Sequence, residues 1–175
     1  MMFLKVNLKE LFNHKFIYED ILNNNSGLDG TYILQKDLND IDFFNISKEK
    51  LDNVICQNQT LEINNYVDKL HILGFSYWGS TNEFFEIRYQ DDSIEKVKIP
   101  FIDWVMESSI NYRTISWYGE NIKTIKQVRS SGELKHTVNF HHSITKLDSR
   151  KMIKEIKFPD NFLIHIFAIT LQIPD

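Results

Sequence analysis

The residues of this sequence best suited to bind a polar ligand are aromatic rings and planar polar side chains near one irregular segment. Residues 103–127 show no clear period and form a long connection, and loops of this kind often carry function. The candidate rings are Trp78, Trp104, Trp117 and Tyr118. The candidate hydrogen-bonding side chains are Asn82, Asp103, Arg113 and Glu120. A flat ring under the apolar face of a pyranose, with planar polar groups beside it, can hold a sugar by stacking and hydrogen bonding.

The aromatic candidates differ in how strongly their positions favour ligand binding. Trp117 and Tyr118 are favoured because they lie inside the irregular segment. Trp78 ends a strand-like run next to Gly79, so its ring can reach one end of the fold. Trp104 is predicted to be a core or edge anchor instead, because an indole buries a large apolar area.

Three histidines close in sequence, His136, His141 and His142, raise the alternative of a metal site. Alternation along a strand points His136 and His142 to one side and His141 to the other, so the three cannot converge from this strand alone. His136 and His142 would also lie about 20 Å apart along an extended strand. These residues, and His165 in the last apolar run, are therefore predicted to be hydrogen-bonded core or edge histidines, and no metal ligands are assigned.

The sequence contains none of the common catalytic motifs, which favours a protein that is not an enzyme. There is no nucleophile elbow, zinc-protease motif, phosphate loop or dinucleotide fingerprint. The one carboxylate pair that could serve a glycosidase is Asp103 with Glu120. Asp91-Asp92 and Asp29-Gly30 are predicted turns. Either turn could also join a structural calcium site, and no other cofactor is predicted.

Composition and charge argue against several classes of partner. The formal net charge is −4 and the pI is about 5.9. Lysine and arginine are dispersed among acidic residues. The nearest thing to a basic patch consists of Lys123, Lys126 and Arg129, and we interpret it as a solvated loop or edge. Nucleic acid is therefore not an expected partner. The single cysteine, Cys56, excludes an internal disulfide and lies in an apolar stretch typical of a buried thiol. No signal peptide or membrane-spanning run is recognised, so a cytoplasmic location without membrane contact is expected.

Period-two alternation dominates the chain and predicts one all-β domain over residues 1–175. Residues 84–102 read as a hairpin with Asp91-Asp92 at its turn. Residues 70–77 and 134–144 read as further strands. In the first of these, Gly74 would permit the close approach of a neighbouring backbone. Its larger side chains are predicted to face the core; they are His71, Leu73, Phe75 and Tyr77.

The two ends of the chain give contrasting signals. Residues 9–23 could carry a short helix. Residues 157–171, KFPDNFLIHIFAITL, are apolar at successive positions after a Pro-Asp-Asn turn and rich in Ile and Phe. This pattern predicts a closing strand that is buried on both faces.

Several segments, taken in order, resemble the galactose-binding-like β-sandwich modules found beside bacterial glycoside hydrolases. The matching pieces are Leu28-Asp29-Gly30, Asp52-Asn53-Val54-Ile55, Gln59-Thr60-Leu61-Glu62-Ile63, residues 66–76 with Gly79, Ile102-Asp103-Trp104, Tyr112-Arg113-Thr114, residues 154–159 and residues 165–171. The resemblance implies an antiparallel jelly roll of eight or nine strands in two sheets. It also implies a carbohydrate site on loops at one end of the sandwich.

The resulting functional hypothesis is a non-catalytic carbohydrate-binding module. Its predicted ligand contacts are the rings and polar side chains introduced above, apart from Trp104. The first alternative is a protein-interaction or scaffolding domain without a sugar ligand, and the second is a small glycoside hydrolase-like enzyme. The sequence leaves the oligomeric state open.

Overall fold

The computed structural model describes residues 2–19, 27–106, 122–132 and 135–174, and β-strands dominate these ranges. The strands are β1 (Met2–Lys5), β2 (Ile17–Tyr18), β3 (Thr31–Leu34), β4 (Val54–Gln57), β5 (Thr60–Tyr66), β6 (Lys69–Ser76), β7 (Thr81–Tyr89), β8 (Ile94–Phe101), β9 (Ile122–Arg129), β10 (Ser131–Gly132), β11 (Thr137–Lys146), β12 (Met152–Lys157) and β13 (Asp160–Ile173). The described helices are two 3-10 turns, Lys9–Leu11 and Gln35–Leu38. Neither has the length or apolar character needed to cross a membrane.

Two antiparallel sheets pack face to face and form the sandwich. The larger sheet has the order β1-β13-β6-β11-β9, with β4 also paired to β13, and the smaller has the order β5-β12-β7-β8. Strands of both sheets contribute to one apolar cluster between them, in which Ile72, Phe85 and Ile166 are fully buried. The all-β, antiparallel sandwich predicted from alternation is therefore confirmed.

A third layer covers the other face of the larger sheet. It consists of residues 16–19 and 27–46, and β3 pairs in it with β2 in parallel and with β10 in antiparallel orientation. We call this segment the N-terminal layer. Its apolar side chains, among them Phe16 and Ile33, pack with Phe75, Phe140 and Phe167 of the larger sheet in a second cluster. The central strands of the larger sheet, β6, β11 and β13, are consequently buried on both faces.

This arrangement explains the apolar character of β6 and β13. Leu70 and Ile72 of β6 lie in the cluster between the sheets, whereas Leu73 and Phe75 lie under the N-terminal layer. The prediction that only one face of this strand meets the core was therefore wrong. Both faces are inside because the N-terminal layer supplies a second core.

The last strand occupies the centre of the larger sheet. β13 pairs with β6 along one side, and with β4 and β1 in succession along the other. Its residues from Ile164 to Ile173 are all buried. The predicted closing strand, buried on both faces, is confirmed.

Gly74 allows the backbones of β6 and β13 to approach closely. A Cβ atom at this position would lie 2.5 Å from the carbonyl oxygen of His165, which is far inside van der Waals contact. The predicted close approach of a neighbouring backbone at Gly74 is thus confirmed.

The hairpin is confirmed and the N-terminal helix is not. β7 and β8 pair from Thr81 with Phe101 to Arg88 with Ile94, and the turn holds Asp91-Asp92. In place of a helix over residues 9–23, the chain makes one 3-10 turn and then strand β2, and residues 20–26 lie outside the described ranges. Aromatic packing of Phe16 against the sheet outweighs the weak local helical preference.

Candidate functional site

A tight turn at the end of β6 presents the most exposed tryptophan of the described residues. Trp78 has a φ of 65° and Gly79 a φ of 116°, both in the left-handed region. Gly79 adopts such a conformation at little cost, whereas a bulky side chain there is unusual and has to be held in place. The consequence is that the indole of Trp78 leaves the sheet and is 74% exposed.

Asp103 holds this turn. Its carboxylate accepts hydrogen bonds from the backbone N–H of Gly79 and, at 3.0 Å, from that of Val105. Its own backbone N–H donates to Ser80 Oγ at 2.9 Å. The side chain of Asp103 is buried, and the two donors that its carboxylate binds are both backbone N–H groups of the protein. Asp103, predicted to pair with sugar hydroxyls, therefore positions the Trp78 turn in this structure.

Tyr77 connects the turn to the N-terminal layer. Its ring lies 5.7 Å from that of Trp78 and 5.3 Å from that of Trp104, measured between centroids. Its hydroxyl donates to the carboxylate of Asp29. Burial, and next the hydrogen bond to Asp29, raise the pKa of Tyr77 to about 12, so the phenol stays protonated at neutral pH. The Asp29-Gly30 turn thus anchors the residue that precedes Trp78.

A second exposed ring, that of Phe162, lies at the same end of the larger sheet. The backbone N–H of Tyr77 donates to the carbonyl of Leu163 at 2.7 Å, so the residues just beyond them on the two strands are Trp78 and Phe162. Phe162 is 69% exposed. We call Trp78 and Phe162, with the half-buried Tyr77, the aromatic end. The sequence analysis missed Phe162, although a phenylalanine directly after the Pro-Asp-Asn turn was visible.

Most of the described polar side chains near this end are already hydrogen-bonded to the protein. Asn161 Nδ2 donates to Glu83 Oε1 at 2.7 Å, and Thr81 Oγ1 lies 3.1 Å from the same oxygen. Asn82, a predicted ligand contact, lies opposite Pro100 at the start of β7 and is half-buried. None of the described residues forms a hydrogen bond with the amide side chain of Asn82. As far as the described residues extend, the donors and the acceptor of its amide are therefore available to a ligand.

Of the remaining candidates, one tryptophan lies in the core and the others lie outside the described residues. Trp104 is 5% exposed and packs against Phe16 and Phe75, so its predicted role as a core anchor is confirmed. Four predicted ligand contacts lie outside the described residues: Arg113, Trp117, Tyr118 and Glu120.

The histidines are separated as alternation predicted. His142 packs under Phe44 and approaches His71, with 2.9 Å between His142 Nε2 and His71 Nδ1, whereas His141 Nδ1 lies 3.1 Å from Thr124 Oγ1. Burial lowers the pKa of His141 and of His142 to about 4. His136 is exposed. Within the described ranges, no three His, Cys, Asp or Glu side chains come together as a metal site would require.

A buried polar cluster that sequence reasoning missed joins the N-terminal layer to β13. The carboxylate of Asp52, fully buried, accepts from the backbone N–H of Phe16 at 3.0 Å and of Ile17 at 2.9 Å, and lies 3.1 Å from Lys15 Nζ. Asn53 Nδ2 donates to Asp52 at 2.9 Å, and Asn53 Oδ1 lies 2.9 Å from His165 Nδ1. The available signal was the Asp-Asn pair within the apolar stretch LDNVIC. Its partners are all internal, so this cluster is structural.

Other reactive side chains and turns are also engaged or inaccessible. Cys56 is fully buried, and burial raises the pKa of its thiol, which leaves it protonated. At the β7–β8 turn, Asp91 lies 3.0 Å from Lys151 Nζ, and Asp92 lies 3.7 Å from Lys154 Nζ. These two lysines neutralise the charges of Asp91 and Asp92, the carboxylates that a calcium ion at this turn would need as ligands.

Two open grooves occur elsewhere on the described surface. One, of about 450 Å³, lies between the Gln35–Leu38 turn and β9, and the other, of about 520 Å³, lies between residues 7–12 and 45–49. Neither contains a predicted ligand contact. The aromatic end is therefore the site where the sequence predictions and the described geometry coincide.

The comparisons with known proteins agree with the architecture. The model of a protein family described as the AziU2-like beta-sandwich domain matches residues 36–174. This span contains every strand of both sheets except β1. No curated protein matches the sequence.

Proposed function

The chain belongs to the AziU2-like beta-sandwich domain family, and from this premise we propose that it is a non-catalytic binding domain that holds a carbohydrate on its aromatic end. The observation that carries the proposal is the exposure of Trp78, 74%, in a turn whose conformation is fixed by the protein. Fixing an exposed ring in advance reduces the entropy that a ligand must later remove.

The turn is supported from two sides. Asp103 accepts a hydrogen bond from the backbone N–H of Gly79, and Tyr77 is held by its hydrogen bond to Asp29. The indole therefore offers a flat apolar surface of defined orientation, as stacking under a pyranose requires. Asn82 supplies an amide that is free of partners among the described residues and can pair with hydroxyl groups. Arg113, Trp117, Tyr118 and Glu120 remain predicted contacts.

A second candidate function, protein interaction, is favoured by a specific observation. Phe162 adds a second exposed ring at this end, and the neighbouring carboxylates of Asp103 and Glu83 are occupied by protein donors. Exposed large aromatics with few free polar groups are typical of interaction hot spots. This function would use the same two rings with a protein partner.

Calorimetric titration of the purified protein with a panel of mono- and oligosaccharides tests the carbohydrate proposal. We expect at least one sugar to bind with millimolar affinity and Trp78→Ala to weaken that binding by about tenfold or more, since stacking on one aromatic ring contributes about 1.4 kcal/mol. Phe84→Ala is the matched control, because Phe84 is also exposed, 53%, but projects from the outer face of β7. Absence of heat from every sugar at millimolar concentration would overturn the proposal.

The protein-interaction candidate needs a separate readout. A photoreactive amino acid placed at position 78 or 162 is expected to cross-link one and the same protein in cells. Placed at exposed Ile94 on β8, it is expected to cross-link that protein much less. Equal cross-linking from all three positions would contradict docking on the aromatic end.

A further inference from the structure

Strand β1 leaves an apolar edge of the larger sheet uncovered. It is exposed along its whole length, with Met2 59%, Phe3 45% and Leu4 43% exposed. The backbone N–H of Val6 donates to the carbonyl of Ile169, so Val6, Leu4 and Met2 direct their backbone groups inward to β13. The N–H and C=O groups of Phe3 and Lys5 therefore point away from the sheet.

Strand β4 lies on the same edge of the larger sheet as β1, and side chains block its outward-facing backbone groups from pairing with another strand. Asn13 Oδ1 accepts from the backbone N–H of Ile55 at 2.7 Å, and Asn13 Nδ2 donates to the carbonyl of Ile55 at 3.0 Å. Gln59 Nε2 donates to the same carbonyl at 2.7 Å. These side chains occupy the groups that another strand would need.

The other edges of the two larger sheets carry other known devices against strand addition. β8 has Lys96, Lys98 and Pro100, and β9 has Lys123, Lys126 and Arg129. β5 is irregular, with a register shift against β12 at Ile153/Glu155. β1, by contrast, combines outward-facing backbone groups with exposed apolar side chains, and its one lysine, Lys5, donates to the carbonyl of Asp42.

We propose that β1 of one molecule pairs with β1 of a second copy, antiparallel about a two-fold axis at Leu4. This register sets Phe3 opposite Lys5 of the second copy, so the outward-facing backbone groups of both residues are satisfied in each molecule. Centring the pair on Lys5 would oppose two like charges. The interaction is isologous, as in most homodimers.

The side chains are self-complementary in this register. On the face toward the smaller sheet, Leu4 meets Leu4 of the second copy and Met2 meets Val6 of the second copy. On the face toward the N-terminal layer, Phe3 packs at 5.1 Å on Phe43. The aliphatic stem of Lys5 of the second copy, whose ammonium donates to the Asp42 carbonyl of its own chain, lies beside this Phe3 ring. Strands of four residues bury little area, so the dimer is expected to be weak and concentration-dependent.

Disulfide trapping tests both the partner and the register. Leu4→Cys places two thiols across a non-hydrogen-bonded pair, where Cα atoms are about 4.5 Å apart and a disulfide can form. The native Cys56 is fully buried and does not interfere. We expect oxidised Leu4→Cys to become a covalent dimer at least tenfold faster than Ile94→Cys, a control whose native side chain is similarly exposed, 49%.

Two outcomes would overturn the proposal. If Leu4→Cys dimerises no faster than Ile94→Cys, β1 does not meet a second copy. If Phe3→Cys dimerises faster than Leu4→Cys, the register is wrong. Sedimentation velocity adds a check without thiols: the wild-type coefficient should rise with concentration, Leu4→Lys should abolish the rise, and Ile94→Lys should not. A wild-type coefficient independent of concentration up to millimolar protein would count against the dimer.

Discussion

His165 Nδ1 lies 2.9 Å from the side-chain oxygen of Asn53, at the junction of the central strand and the N-terminal layer. An amide oxygen can only accept, so Nδ1 carries the proton and donates. Asn53 in turn donates to Asp52, which binds the backbone N–H groups of Phe16 and Ile17. The chain of hydrogen bonds fixes the N-terminal layer on the larger sheet.

Removal of the Asp52 carboxylate is expected to destabilise the protein strongly. Asp52→Ala leaves two buried backbone donors without their acceptor and removes the ion pair with Lys15, and we expect a loss of about 3 kcal/mol in the free energy of unfolding. Asp52→Asn keeps one acceptor oxygen and should cost less. Urea unfolding measures both. Glu49→Ala, which removes an ion pair between half-exposed side chains, should change stability by less than about 0.5 kcal/mol.

Stability is expected to fall on acidification from about pH 6.5. Burial lowers the pKa of His165 to about 3 and that of His141 to about 4, below the value of 6.5 in the unfolded chain. Between these values the unfolded state binds protons that the folded state does not, so each histidine removes about 1.4 kcal/mol per pH unit as pH decreases. The loss should be absent above pH 7. Burial raises the pKa of Asp52, which opposes this trend at lower pH.

Urea midpoints between pH 7.5 and 5 check this dependence. His165→Gln should reduce the slope by about one proton, although it also lowers stability at neutral pH. His136→Gln is the control, because the ring of His136 is exposed in the folded state. A slope unchanged by His165→Gln would contradict the assignment.

Gly74→Ala should destabilise the sandwich although it adds a single methyl group. The new Cβ would lie 2.5 Å from the carbonyl oxygen of His165 and 3.3 Å from Cε1 of Phe101, so β6 and β13 must move apart. We expect a cost of about 1 to 3 kcal/mol in the free energy of unfolding, typical of overpacking. Thermal or urea unfolding measures it. A variant as stable as wild type would show that the two strands are not in this contact.

Phe16→Ala tests whether the N-terminal layer is part of the folded unit. Phe16 is fully buried, with ring centroids 5.6 Å from Phe75 and 5.9 Å from Phe167. Truncation should cost about 3 to 5 kcal/mol in the free energy of unfolding measured in urea. Phe84→Ala, an exposed counterpart, should cost less than about 0.5 kcal/mol. Equal, small effects would mean that the layer is not packed on the sheet.

Alternation and apolar runs predicted the sheets because each strand carries its own burial pattern. β13 and the β7–β8 hairpin were recognisable from single segments. The N-terminal layer was not, since its strands β2 and β3 are two and four residues long and have no period to detect. Phe16 reads as part of a short helix until its partners on the sheet are known.

The candidate site was predictable to a similar extent. Trp78 beside Gly79 at the end of a strand suggested an exposed ring, and the structure shows one. The role of Asp103 could not be predicted, because the backbone N–H groups it binds include that of Gly79, 24 residues away. Contacts of this kind depend on the chain path between strands and leave no local pattern.

The central position of β13 has a consequence for synthesis in the cell. β13 follows all other described strands in chain order, yet β1, β4 and β6 all pair with it. While the ribosome is still translating residues 160–173, these three strands lack a shared neighbour and their apolar side chains are solvated. We therefore expect the domain to reach its native form only once residues 160–173 have left the ribosome, and slowly, as contacts distant in sequence form. Until then, the exposed apolar surface and unpaired strand edges make the nascent chain prone to aggregation.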